Sequence, residues 1–170
     1  LTGGEPLTRK DSAVLVRMLK ELPGIEKVTL TTNGILLKEQ MAELAEAGID
    51  NINISLDTLN TEAFKKITRR EGLARVLEGL KEAMKYPQIG LKINCVPVLE
   101  DPENLINLAE IARDNPIHVR FIEMMPIGYG KEFRFCGEDE ICSVLEGAYG
   151  EMTPITEKYG NLSLIHISEP

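Results

Sequence analysis

Polar side chains fall on one parity in four short stretches of this sequence, and chemistry would sit there. In "NINISLD", Asn51, Asn53, Ser55 and Asp57 alternate with Ile52, Ile54 and Leu56. In "VTLTTNG", Thr29 and Thr31 alternate with Val28 and Leu30; in "LKINCV", Lys92 and Asn94 alternate with Leu91, Ile93 and Cys95. In "VRFIEMM", Arg120 shares a parity with Ile122 and Met124. Extended chains send successive side chains to opposite faces, so each stretch reads as a strand with polar groups on one parity. Hydroxyls, amides and two cations together can hydrogen-bond a small molecule and neutralise an anion. A fifth stretch, "LTGGEPLTR", opens the chain. Gly3-Gly4 allows backbone conformations closed to other residues and lets a ligand approach the main chain. Pro6 stiffens the exit. For the glycine pair taken alone, a tight turn after a strand is the plain alternative, and Thr29 alone is a β-former.

These stretches alternate with helical patterns. Leu15, Met18, Leu19 and Leu22 follow helical spacing and stop at Pro23-Gly24. Met41, Leu44 and Ala45 mark a second helix ending near Gly48, and Phe64 and Ile67 a short third. Leu73, Val76, Leu77, Leu80 and Met84 form a clear stripe. Asp101-Pro102 places an N-cap acid before an N1 proline, ahead of Leu105, Leu108, Ala109 and Ala112. After a glycine-containing loop, Ile141, Val144, Leu145 and Ala148 mark a last helix. The strands are expected over Val28–Thr31, Ile52–Leu56, Leu91–Val98 and Val119–Met124. Strand and helix in turn mean βαβ units and a parallel sheet. Parallel strands under helices are usually apolar on both faces, and unpaired buried polar groups cost about 1–3 kcal/mol each. Four strands with polar parities therefore point to an incomplete barrel whose lumen holds water or a ligand. A closed barrel filled with branched side chains would read differently.

The 170 residues are enough for one domain with a sizeable core. Their 43% hydrophobic content is that of a globular chain, with no apolar run long enough to cross a bilayer. The formal net charge of −8 argues against a general nucleic-acid or anionic-membrane surface and leaves room for a local basic pocket. Cys95, Cys136 and Cys142 form no disulfide framework, which suits a reducing, cytoplasmic compartment. None has Cys-x-x-Cys spacing and there are only two histidines, so no metal site is read; each cysteine is expected as a small buried hydrophobe. Leu1 is not a start residue. "LSLIHISEP", Leu162–Pro170, matches one reading frame of a transposon-end adaptor used in sequencing libraries and is set aside as a scar, leaving 1–161 as the domain.

"LTGGEP", "LTTNG", "NINISLD", "LKINCV" and "VRFIEMMPIG", in this order and at these spacings, resemble the radical S-adenosylmethionine (SAM) GTP 3′,8-cyclase family of molybdenum-cofactor biosynthesis. The resemblance covers Leu1 to about Asn161. Gly-Gly-Glu-Pro alone indicates only the radical SAM superfamily; the other motifs are more specific. It implies an α/β fold, a partial (β/α) barrel with parallel strands and helices outside, truncated here at both ends, with the active site at the C-terminal strand ends. It implies SAM and [4Fe–4S] clusters as cofactors and GTP as substrate, converted by a 5′-deoxyadenosyl radical. Residue by residue, Gly4 matches a SAM-binding position, with Gly3 and Glu5 beside it, Glu5 able to accept from the SAM ammonium. Ser55 and Met125 match further SAM contacts. Thr31 and Lys92 match GTP contacts, and Asn94 and Arg120 join them by sharing the polar parities. The family's three cluster cysteines, spaced Cys-x-x-x-Cys-x-x-Cys, precede Gly-Gly-Glu-Pro and are not in this sequence. Those of a second cluster would fall beyond Asn161, and Thr8 stands where an apolar residue is common. The chain therefore reads as an internal fragment, inactive alone, whose cluster ligands lie outside it. Two alternatives stay open: a radical SAM enzyme with another substrate, and a phosphate-binding module without redox chemistry.

Overall fold

A computed structural model describes residues 1–97, 102–123 and 137–153. Four parallel strands form one sheet in sequence order: β1 (Thr29–Thr32), β2 (Asn51–Ser55), β3 (Gly90–Cys95) and β4 (Ile117–Phe121). Helices α1 (Ser12–Glu21), α2 (Leu37–Glu46), α3 (Thr61–Thr68), α4 (Leu73–Ala83), α5 (Pro102–Asp114) and α6 (Glu138–Tyr149) lie before, between and after them. A single turn of 3₁₀ helix at Pro6–Thr8, absent from the helical periodicity, follows Glu5. The expected α/β architecture is present, and its sequential order with one polar face is an arc of a barrel.

Burial alternates along the strands as the parity requires. Leu30, Ile52, Ile54, Leu91, Ile93 and Cys95 are fully or nearly fully buried on one parity. They form one cluster with Val16 of α1, Leu37, Met41 and Leu44 of α2, and Val76 and Leu80 of α4. Each buried Leu or Ile contributes roughly 1.5–3 kcal/mol relative to exposure, so this layer fixes which strand face turns to the helices. A register slip of one residue would turn the apolar set away from them. A smaller cluster, Leu105 and Ala109 of α5 with Ile141 and Leu145 of α6, stands apart from the main one.

Two local devices set the strand exits. Gly34, after β1, has φ +77, and a Cβ there would meet Val76 Cγ1 at 3.0 Å and Ile54 Cγ2 at 3.1 Å. Asn60 caps α3, its side-chain oxygen accepting from the Glu62 and Ala63 amides at 3.0 Å each. β3 stops at Cys95 rather than running to Val98, and β4 begins at Ile117 rather than Val119. The Asp101 cap, Val98, the Met124–Cys136 stretch with Met125, and the 162–170 segment lie outside the described residues.

Candidate functional site

The register assembles the polar parities into rows. Thr31 lies beside Asn53, Asn53 beside Lys92, and Lys92 beside His118. One step toward the C-terminal ends, Ser55 lies beside Asn94 and Asn94 beside Arg120. In parallel strands such partners share a face, so the sheet presents hydroxyl, amide and cation side by side. Asn53 Nδ2 donates to Thr31 Oγ1 at 3.2 Å. His118 joins this face without having been among the expected site residues. Its signal is there all the same, two positions before Arg120 and on the same parity.

The glycine pair reaches this end of the sheet through β1. The Thr31 amide donates to the Leu1 carbonyl at 2.9 Å, and the Leu1 amine donates to the Thr29 carbonyl at 2.6 Å. Gly3 and Gly4 follow with φ +95 and +55, and a Cβ on either would meet no atom within 4 Å. Their backbone is therefore open to an approaching group. Glu5 then fastens the turn to the end of β1. Its Oε1 accepts from the Leu7 amide at 3.0 Å and from Thr32 Oγ1 at 2.7 Å, and its Oε2 accepts from the Asn33 amide at 2.6 Å. Three of the carboxylate's roughly four acceptor positions are thus used within the chain. The structure gives Glu5 a fastening task, with one position left for the ligand ammonium expected from the sequence.

The electrostatics of the face are one-sided. Burial lowers the proton affinity of the Lys92 ammonium, and Arg120 and Lys27 lower it further. Burial does the same to Arg120. Among the described residues, no carboxylate pairs with either cation. Asn94 Oδ1 is buried without a hydrogen-bond partner, a cost of about 1–3 kcal/mol that a donor from a ligand would remove. Asp57 lies on the parity of Ser55. Burial pushes its carboxyl up despite the Val96 amide, which donates to Oδ1 at 2.8 Å. The face is thus built for an anion, with a vacant acceptor beside it.

This donor set fits SAM: open glycine backbone and the Ser55 hydroxyl suit an amino-acid end and ribose hydroxyls. The described residues do not fit an iron–sulfur cluster. Fe–S clusters take several converging thiolates. Cys95 is sealed in the core, Cys142 sits on α6 with its thiol pushed up by burial and then by Glu138, Glu146 and Asp139, and Cys136 is outside the described residues. Among the described residues no group of three His, Cys, Asp or Glu is placed to hold a metal ion. No helix of the described residues is long and apolar enough to cross a membrane.

A parallel arc with a glycine loop and an anion-seeking polar face at its C-terminal edge is the layout of a barrel enzyme that works at its strand ends. The Radical SAM superfamily pattern matches residues 1–112, so the chain belongs to that superfamily. Within it, the chain is similar to GTP 3′,8-cyclases. It is 43% identical over 148 residues to that of Clostridium perfringens (strain 13 / Type A), covering 86% of this chain and 45% of the relative. It is 41% identical over 160 residues to that of Alkaliphilus metalliredigens, covering 92% and 50%. Molybdenum cofactor biosynthesis protein 1 of Dictyostelium discoideum is 45% identical over 127 residues, covering 74% and 20%. The chain spans about half the length of the two cyclases it matches. The fold recurs in a domain of pyruvate-formate lyase-activating enzyme from Bacteroides vulgatus, with TM-score 0.66 and 13% identity over 86% of this chain and 91% of that one. It recurs also in coproporphyrinogen III oxidase from Escherichia coli, with TM-score 0.60 and 14% identity over 86% and 37%. SAM and a [4Fe–4S] cluster are the cofactors that this membership implies for the parent enzyme.

Proposed function

We propose that this chain is the central part of a GTP 3′,8-cyclase, which converts GTP to (8S)-3′,8-cyclo-7,8-dihydroguanosine triphosphate in molybdenum-cofactor biosynthesis. The observation that carries the reading is the pair Lys92 and Arg120, two partly buried cations without an acidic partner among the described residues, flanking the unpartnered acceptor Asn94. A triphosphate supplies the missing negative charge, and charge-assisted bonds hold it. Its names among the relatives support the same substrate. When bound with a reduced cluster, SAM supplies the radical that removes a C–H hydrogen. The chain's own part is to hold the reactants. Gly3 and Gly4 offer main-chain groups to the amino-acid end of SAM, and Ser55 donates and accepts; Met125, outside the described residues, is the further SAM contact that the resemblance implies. Thr31, Lys92, Asn94 and Arg120 orient the nucleotide from the neighbouring rows. We place the parent enzyme in the cytoplasm, which its cysteine usage supports.

Lys92→Ala in the parent enzyme tests this. One lost charge-assisted bond of roughly 1.5–3 kcal/mol weakens GTP binding about ten- to a hundred-fold, while SAM affinity stays near wild type because Gly4 and Ser55 are untouched. Anaerobic isothermal titration of each ligand measures both. Unchanged GTP affinity, or a larger loss for SAM than for GTP, overturns the assignment. A wild-type enzyme that binds SAM and ignores GTP indicates a radical SAM enzyme with another substrate.

A further inference from the structure

The strands β2 and β3 part in a particular way. Their ladder is regular up to Ser55 and Asn94, and the Leu56 amide still donates to the Asn94 carbonyl at 3.0 Å. The next amide along β3, that of Val96, does not return to a β2 carbonyl. It donates to Asp57 Oδ1 at 2.8 Å. The Asp57 carbonyl is turned to other donors, accepting from Asn104 Nδ2 at 2.9 Å and, at 3.6 Å, from the Cys95 thiol. Asn104, itself 8% exposed on α5, also accepts the Leu59 amide at 2.9 Å. One carboxylate therefore stands in for a main-chain acceptor, and one amide pins the loop that results.

Parallel strands cannot diverge in a buried place without leaving amides unpaired, and each orphan costs about 1–3 kcal/mol. Asp57 removes that cost just past the last β2–β3 pair, Ser55 and Asn94. Nothing in this arrangement needs a negative charge: an oxygen at the Oδ1 position is enough, and burial already disfavours the charged form.

We propose that Asp57 is a positioning residue, which together with Asn104 holds the β2–β3 mouth open at the separation that Ser55 needs to bind SAM. This rests on the reading of Ser55 as a SAM contact. Asp57 touches no ligand in this account; it acts through the two strands.

The test compares wild-type parent enzyme with Asp57→Asn, Asp57→Ala and Asn104→Ala, by hydrogen exchange at the Val96 amide without ligand and by anaerobic titration of SAM. Asparagine keeps the acceptor, so Asp57→Asn stays within about threefold of wild type in both readouts. Asp57→Ala speeds Val96 exchange and weakens SAM binding, each by about tenfold or more, the equivalent of one lost hydrogen bond. If Asp57→Ala does not fold, Asn104→Ala carries the case: Val96 stays protected while SAM affinity falls several-fold. Rescue by Asn is the outcome that a charged ligand contact would not give. The proposal is overturned if Asp57→Asn is as damaging as Asp57→Ala, if Val96 exchange ignores Asp57→Ala, or if Asn104→Ala leaves SAM affinity unchanged. A wild-type enzyme that binds no SAM overturns the underlying site reading instead, while Val96 exchange still reports the latch.

Discussion

A lysine on a polar sheet face with two cations near it and no counter-ion among the described residues costs the empty protein stability. The Lys92 ammonium is held below its ordinary proton affinity by burial first, then by Arg120 and Lys27. The unfolded chain keeps the ordinary value. Between the folded and the unfolded value the unfolded state binds more protons, so stability rises with pH through that window. Below it the full cost is present. Lys92→Gln is therefore expected to raise the melting temperature of the ligand-free protein at neutral pH. The gain shrinks as the pH climbs into the lysine range, and triphosphate binding weakens in the same variant. Thermal unfolding at neutral and alkaline pH checks both halves, and an unchanged or lower melting temperature at neutral pH contradicts them. Such opposition of stability and binding at one residue is what an evolved ligand site shows.

Between elements, close approach matters more than propensity. Gly79 sits inside α4, where alanine would ordinarily be better by about 1 kcal/mol. A Cβ there would stand 2.8 Å from the Gly34 carbonyl oxygen and 3.0 Å from Leu37 Cβ. The first is main chain and cannot swing away, so overpacking of about 1–3 kcal/mol wins. Gly79→Ala is expected to lose about 1 kcal/mol in denaturant unfolding; a gain would show that α4 and the β1–α2 turn can move apart. The alternation of strand and helix was readable because it rests on periodicity. The stripe through Val76 and Leu80 and the parities of Asn53 and Lys92 say which faces are covered. The fastenings were not readable in that way. Glu5 bonds Thr32 and Asn33 across 27 and 28 residues, and Asp57 bonds Val96 across 39. Periodicity carries no information about a side chain that replaces a main-chain acceptor that far away. For the same reason β3 looked longer than it is: Val96 has strand propensity, but its amide is diverted. The Pro6–Thr8 turn depends on Glu5 accepting the Leu7 amide, again a contact and not a pattern.

The whole molecule carries a net charge of −8, yet the polar face of its sheet gathers Lys92, His118 and Arg120. Attraction for an anion is therefore a short-range property of that face, set against the long-range sign of the protein. The sheet's order has a different consequence. The strands pair in sequence order, and the core divides into a large cluster over the sheet, reaching β4 through Ile117 and α5 through Leu108, and a small one between α5 and α6. A chain built this way can be assembled, and taken apart, from one side. Leu105, Ala109, Ile141 and Leu145 hold little area compared with the main cluster, so α6 is expected to peel away while the older strands stay shut. Native-state hydrogen exchange in low denaturant should show the α6 amides exchanging through a partial opening, at lower free energy than the amides of Ile52 and Ile54. Equal opening energies would mean a single cooperative unit. On the ribosome the same asymmetry lets β1 to β3 close over α1, α2 and α4 before α6 has been made, so the glycine turn and the Asp57 latch are in place while the last part of the barrel wall is still being synthesised.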